Sequence, residues 1–253
     1  SRPEQMHIQI HVDAASGGFI APFQADRPPF DFRCPNVASM STSGHKYGQS
    51  CAGTGWIVWR DADLADQVAS TTTYLGGESK SYSLNFSRPA SGVFVQMYNL
   101  MHNGLSGYTQ MCENMINIAR FMHARLKTMK NAAGLERFQM LSDLKDTLPV
   151  VAARLNRETQ TPYTDTDLTV ILSQSRWFVA AYNTYFKDPT TMQVSSLFDS
   201  DAHTTMFRIV VKHNLTFTLA TDILNSIETA FVFLDEKFCA PGSESSAMLH
   251  SRC

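Results

Sequence analysis

The sequence predicts an α/β block followed by a smaller α+β block, on three observations. In the N-terminal part, short apolar runs end in turns of small and polar residues. A long stretch with apolar residues at helical spacing comes next. Beyond Gly134, short strand-like runs alternate with helical ones.

The elements follow in order. His7 to Val12 reads as a buried strand, with Ile8, Ile10 and Val12 on one face. It runs into the turn Asp13-Ala14-Ala15-Ser16-Gly17-Gly18. Val37 to Ser43 reads as a second strand ending in Gly44-His45-Lys46-Tyr47-Gly48. Gly53-Thr54-Gly55 precedes a third, Trp56 to Arg60, and Asp61 suits a helix N-cap. Ser70 to Ser83 reads as a polar connection. Pro89 suits the first turn of a helix. Phe94, Met97, Tyr98, Met101 and Leu105 follow at helical spacing, then a second helix from about Ser106 to Leu126. The methionine stripe from Met97 to Met122 is expected in the core. Strands are predicted at Phe138–Leu141, Leu148–Leu155, Trp177–Tyr182 and Met206–Lys212. Helices are predicted at Asp165–Gln174 and Thr218–Lys237. The polar tail beyond Cys239 is expected to be disordered. There are no internal repeats. The domains are therefore drawn at 1–115, 116–240 and a tail at 241–253.

Composition narrows the function. The 253 residues carry a net charge of −2, so neither nucleic acid nor an anionic membrane is an expected partner. Hydrophobic residues make up 43 %, ample for a core. No apolar run approaches a membrane span. The start, Ser1 to Gln5, lacks the apolar core of a signal peptide and an initiator Met, so the chain reads as a fragment. Five cysteines with no C-x-x-C pair read as free thiols in a reducing, cytoplasmic compartment. The eight histidines show no metal-binding spacing, and no metal is expected.

Two side chains suggest chemistry. Asp13 and Lys46 each stand at the carboxyl end of a strand, where open α/β sheets bind ligands. Pyridoxal phosphate needs such a pair: an amine to join its aldehyde and an acid to keep its ring nitrogen protonated. On spacing alone, a solvated pair is the commoner source of such residues.

The surrounding residues are more specific. His11-Val12-Asp13-Ala14-Ala15-Ser16-Gly17-Gly18-Phe19 and Ser43-Gly44-His45-Lys46-Tyr47-Gly48 resemble the group II pyridoxal-dependent decarboxylases, and within them the glutamate decarboxylase branch. Gly55 to Asp61, Tyr74-Leu75-Gly76-Gly77, Asn85-Phe86-Ser87-Arg88-Pro89, Leu148 to Ala152 and Met206 to Val211 extend the likeness. It runs from about Ile10 to Asp235.

The resemblance implies fold type I, the pyridoxal-phosphate-dependent transferase-like fold. Residues 1–115 would be the C-terminal part of the large cofactor-binding domain, with a mixed, mostly parallel sheet. Residues 116–240 would be the small domain. Lys46 would be the Schiff-base lysine. Asp13 would bind the pyridine nitrogen, with Ala15 near the ring. Ser43 and His45 would contact the phosphate. Ser87 would reach the phosphate of a neighbouring subunit, in a homo-oligomer with its site at a dimer interface. Arg208 would hold the substrate carboxylate. The implied reaction turns glutamate into 4-aminobutyrate and carbon dioxide. Another group II substrate (an aromatic amino acid, histidine or aspartate) and a non-catalytic fragment are the alternatives.

Other expectations concern single residues and regulation. Arg208 lies between Met206 and Val210 on its strand, so it is expected to be buried and to meet an anion. Blander roles are a strand-end cap for Asp13, a helix cap for Ser87, a structural ion pair for Arg208, and a place beside the phosphate without contact for His45. The tail has no tryptophan and one arginine, so no calmodulin binding is expected, and His250 reads as solvated. The family carries about as much chain again before Ile10. Without it, the chain is expected to fold poorly and to be inactive.

Overall fold

The computed structural model describes residues 8–25, 27–73, 76–83, 87–145, 147–196 and 205–238, with the side chains of residues 186 and 196 excepted. The chain divides into two units, Ser1–Glu113 and Asn114–Cys253.

In the first unit, strands β1 (Ile10–Asp13), β2 (Val37–Ser43) and β3 (Gly55–Trp59) form a sheet in the order β1-β2-β3. β1 runs parallel to β2, and β3 antiparallel to it. The expected mixed sheet is thus present, with one parallel and one antiparallel pairing rather than a parallel majority. The parallel pairing brings two carboxyl ends to the same edge, with Asp13 opposite Ser41.

The expected burial of the first strand is not found. His7 lies outside the described residues, Ile8 and Ile10 are exposed, and so are Trp56, Ile57 and Val58 of β3. Alternation marks which face is apolar, but burial also needs a second layer upon it.

Arg60 fastens the loop before β2. Its Nε donates to the Val37 carbonyl at 2.7 Å, and its Nη2 to those of Phe32 (3.0 Å) and Cys34 (2.7 Å). Asp61 caps the short helix α1 (Ala62–Asp66), accepting from the Leu64 N–H at 3.0 Å. The region expected as a polar connection contains a two-stranded ribbon, β4 (Ser70–Thr72) and β5 (Ser79–Ser81). Lys80 pairs with Asp66 beneath it at 2.5 Å. Tyr74 and Leu75 lie outside the described residues.

Helix α2 (Ser91–Lys127) opens two residues after Pro89 rather than around it. The two expected helices are one element broken at Gly104, whose φ of 57° and ψ of −168° only glycine adopts without strain. The stripe divides at this break. Phe94, Met97, Tyr98, Met101 and Leu105 are exposed, whereas Met115, Ile118, Met122 and Leu126 are buried. The expectation that Met97 to Met122 is all core therefore holds only for the later half.

The second unit adds β6 (Phe138–Met140), β7 (Val150–Leu155), α3 (Asp165–Gln174), β8 (Ala180–Asn183), β9 (Tyr185–Lys187), β10 (Val194–Ser196), β11 (Thr205–Val210) and α4 (Phe217–Phe238). Its four-stranded antiparallel sheet runs β6-β7-β11-β8. β9 and β10 form a separate ribbon that periodicity did not indicate. Val151, Ala153, Phe207 and Ile209 line the inner face of the sheet, and Phe138 packs 5.3 Å from Phe207 and 5.4 Å from Phe231 of α4. Thr164 and Asp167 form a reciprocal capping box at the start of α3.

Contrary to the sequence reading, α4 is long and apolar enough to cross a bilayer. Its faces explain the composition. Ile223, Leu224, Ile227, Phe231 and Leu234 are buried at helical spacing, while Asp222, Glu228 and Glu236 are exposed. This is the pattern of an amphipathic core helix.

Candidate active site

The acid end of the site is built by sheet register. Asp13 closes β1, and its Oδ1 accepts the Ala15 N–H at 3.0 Å. The Ala14 N–H donates to the Ser41 carbonyl at 2.8 Å, and the Ser43 N–H to the Ala15 carbonyl at 3.1 Å. Ala15 is thus laced between the ends of β1 and β2. Gly18 continues the turn so close to Thr42 that a Cβ would collide with its hydroxyl.

The lysine end is built by a turn clamped onto α2. The Gly44 N–H donates to the Thr54 carbonyl at 3.0 Å, and the Lys46 N–H to the Ser43 carbonyl at 3.4 Å. Tyr47 and Gly48 are buried beneath the turn. The Gly48 carbonyl accepts from the Gln96 amide at 2.8 Å and the Tyr108 hydroxyl at 3.2 Å. Asn99 donates to the Gln49 carbonyl at 2.9 Å, and Ser50 to that of Gly92 at 2.5 Å. Gln49 has a φ of 63°, a left-handed conformation that these bonds sustain. Lys46 itself is exposed and forms no ion pair among the described residues. The backbone around the amine is held while the amine stays available.

The predicted residues fall into three groups. Asp13, Ala15, Ser43, His45 and Lys46 gather where β1 and β2 end. His45 directs Nδ1 at the Thr54 carbonyl, 2.9 Å away. A carbonyl only accepts, so Nδ1 carries a proton, and Nε2 is the nitrogen left to meet a phosphate. Nε2 donates only when the ring is an imidazolium. Ser87 is exposed, four residues before α2 begins, so it does not cap that helix. Asn85 and Phe86 lie outside the described residues.

Arg208 belongs to the second unit. The expectation that it is buried is wrong: Phe207 and Ile209 take the inner face, leaving Arg208 and Val210 exposed. Its guanidinium lies 4.8 Å from the Tyr182 ring centroid, beside a cavity of about 420 Å³. A guanidinium over a ring is held by the ring's negative face and keeps N–H groups that an oxyanion can accept from. No carboxylate pairs with it among the described residues.

Sequence reasoning missed the supports. Gln96, Asn99 and Tyr108 lie in a stretch read only for its apolar stripe. On β2, Ser39, Ser41 and Ser43 recur every second residue, which was a visible sign of a polar face. Cys112 is no hidden nucleophile, because burial pushes its thiol up to about 11.

The donor set suits pyridoxal phosphate. An amine and a carboxylate stand at the ends of adjacent parallel strands. Among the described residues, nothing donates to Asp13 Oδ2, so it is open to a ring N–H.

Comparisons with known proteins agree with this chemistry. Residues 3–156 match the model described as the pyridoxal-dependent decarboxylase conserved domain. The chain is 36 % identical over 227 residues to a glutamate decarboxylase of Petunia hybrida, covering 89 % of this chain and 41 % of that protein. It is 37 % identical over 229 residues to glutamate decarboxylase 2 of Arabidopsis thaliana, covering 89 % of this chain and 42 % of that one. The solved glutamate decarboxylase of Lactobacillus brevis superposes with a TM-score of 0.73 at 32 % identity, covering 90 % of this chain and 47 % of that structure. The chain therefore spans about two fifths of the length of the curated relatives it matches. With a family model matched over well over half of its residues, the chain belongs to the pyridoxal-dependent decarboxylases, whose cofactor is pyridoxal phosphate.

Proposed function

We propose that the chain contributes the lysine-bearing part of a decarboxylase that converts L-glutamate to 4-aminobutyrate and carbon dioxide. The observation that carries this reading is the departure of Asp13 and Lys46 from adjacent parallel strands. Glutamate is inferred from the relatives, which are named as glutamate decarboxylases.

When bound, pyridoxal phosphate supplies an electron sink for the bond that breaks. The chain's own residues do the rest. Lys46 offers its exposed amine as the covalent anchor. Asp13 holds a proton at the ring nitrogen through Oδ2. Ser43 and the Nε2 side of His45 are assigned to the phosphate, and Ala15 would pack near the ring. Arg208 is assigned to the substrate carboxylate, with its fork steadied by Tyr182. Ser87 is assigned to the phosphate of a second subunit, in a homo-oligomer. The apolar stripe Phe94, Met97, Tyr98 and Met101, exposed in a single copy, suits cover by that subunit. The proposed setting is the cytoplasm, where Cys34, Cys51 and Cys112 would remain the free thiols they are here.

The test is chemical trapping. The chain is incubated with pyridoxal phosphate, reduced with borohydride and digested. The Lys46 peptide is expected to carry the phosphopyridoxyl mass, and Lys46→Ala to lose it completely. Label spread over surface lysines, with none favoured, would end the reading. With the N-terminal part of a relative supplied alongside the chain, labelled carbon dioxide released from tryptophan, histidine or aspartate, but not from glutamate, would move the substrate to another group II amino acid.

A further inference from the structure

We propose that His11 and Ser41 are positioning residues for Asp13, joined to it by a hydrogen-bond chain that runs in one direction. This deepens the proposed function and rests on its assignment of Asp13 to the cofactor ring. Three contacts carry it. His11 Nδ1 lies 2.7 Å from the Ser39 hydroxyl. His11 Nε2 lies 3.2 Å from the Ser41 hydroxyl. The Ser41 hydroxyl lies 3.5 Å from Asp13 Oδ1, the longest of the three links.

Register brings these groups together. His11 stands opposite Ser39 and Asp13 opposite Ser41, so the four side chains share one face of the β1–β2 pair. Ser39 is buried, which fixes the far end of the chain.

Proton counting sets the direction. A carboxylate only accepts, so Ser41 donates to Asp13. Ser41 has one hydroxyl proton, so in its other contact it must accept. His11 Nε2 therefore carries a proton, whether the ring is neutral or charged. In the neutral ring Nδ1 is then an acceptor, and Ser39 donates to it. Each donor points toward Asp13, an arrangement in which successive bonds polarise one another. Oδ1 thus receives both Ser41 and the Ala15 N–H, which leaves Oδ2 as the oxygen for the ring nitrogen. His11 reaches Asp13 only through Ser41 and acts as a positioning residue.

The first measurement needs no cofactor. The 253-residue chain is labelled with 15N-histidine, and the His11 signals are assigned by their loss in His11→Gln. Neutral His11 is expected as the Nε2–H tautomer, and Ser41→Ala is expected to release it into a mixture. A dominant Nδ1–H tautomer would overturn the proposal.

The second measurement is the dissociation constant for pyridoxal phosphate. His11→Phe and Ser41→Ala should each weaken binding by about three- to tenfold, the range for loss of one hydrogen bond. The double variant should be no weaker than either single one. His11→Gln, whose amide still donates, should recover most of the loss. Additive effects, or no rescue by Gln, would reduce His11 to a packing residue. The two readings fail differently. Absence of label on Lys46 in the unsubstituted chain would remove the proposed function, while the tautomer would still decide the direction of the chain. Normal Lys46 labelling with unchanged affinities would remove only the His11 proposal. Should His11→Gln not fold, His11→Asn or His11→Phe supplies the assignment, and the tautomer of the unsubstituted chain decides.

Discussion

The two units make opposite use of similar apolar material. In the second, Phe138, Phe207 and Phe231 meet inside, and Phe207 is fully buried. In the first, Phe94 is 69 % exposed, Met101 is 73 % exposed, and β1 and β3 present isoleucine, valine and tryptophan to solvent. Among the buried groups of the first unit, Tyr47, Gln96 and Tyr108 are enclosed beneath the Lys46 turn. The second unit therefore closes an aromatic core of its own, although Phe178 and Val232 stay exposed. The first secures a reactive turn and leaves much of its apolar surface open.

Substitutions can break or sharpen this contrast. The largest expected effect is Phe207→Ala, which should destabilise the second unit by about 3–5 kcal/mol through loss of burial and the cavity left behind. Urea unfolding measures it, and a loss under 1 kcal/mol would mean that this core is looser than its ring contacts imply.

Next is Asp165, which accepts from the Leu155 N–H at 2.9 Å and the Thr205 hydroxyl at 2.8 Å. Burial holds its carboxyl up at about 7, against 3.8 when free. The folded unit therefore binds this proton more tightly than the unfolded chain. The contribution is complete below about 3.8, falls as pH rises, and is gone above about 7. Asp165→Asn should flatten that slope, which spans on the order of 4 kcal/mol. An unchanged pH profile of the melting temperature would show that Asp165 is ionised in the folded unit.

Thr164→Ala removes one half of the capping box on α3 and should cost about 1 kcal/mol in the same unfolding assay. The smallest effect is expected in the first unit. Met101→Ser should change the stability of a single copy by no more than about 0.5 kcal/mol, because the side chain already faces water. A larger loss would mean that the exposed stripe is covered in solution.

Much of this was legible because local rules sufficed. β2 and α3 occupy the predicted residues, and Asp61 caps its helix as its position suggested. Asp13, Lys46 and their neighbours could be read because short motifs specify strand-end turns. Burial was harder to read. Periodicity gave Met97 and Met122 the same face, yet only packing beyond the Gly104 break decides which is enclosed. The burial of Arg208 was misread for the same reason, since alternation cannot say which face of a strand is the inner one. The β4–β5 and β9–β10 ribbons are three residues a side, too short for alternation to register. The clamp by Gln96 and Tyr108 was invisible because it joins residues 48 and 60 positions from Gly48.

Arg60 has an evolutionary consequence. One guanidinium holds three carbonyls of the segment from Phe32 to Val37, and carbonyls are the same in every residue. The course of that segment is therefore encoded outside it. Its exposed side chains, Arg33, Pro35 and Asn36, can drift without altering the approach to β2, while position 60 tolerates little. Even lysine would fail there, because it brings one flexible ammonium where a planar fork is required.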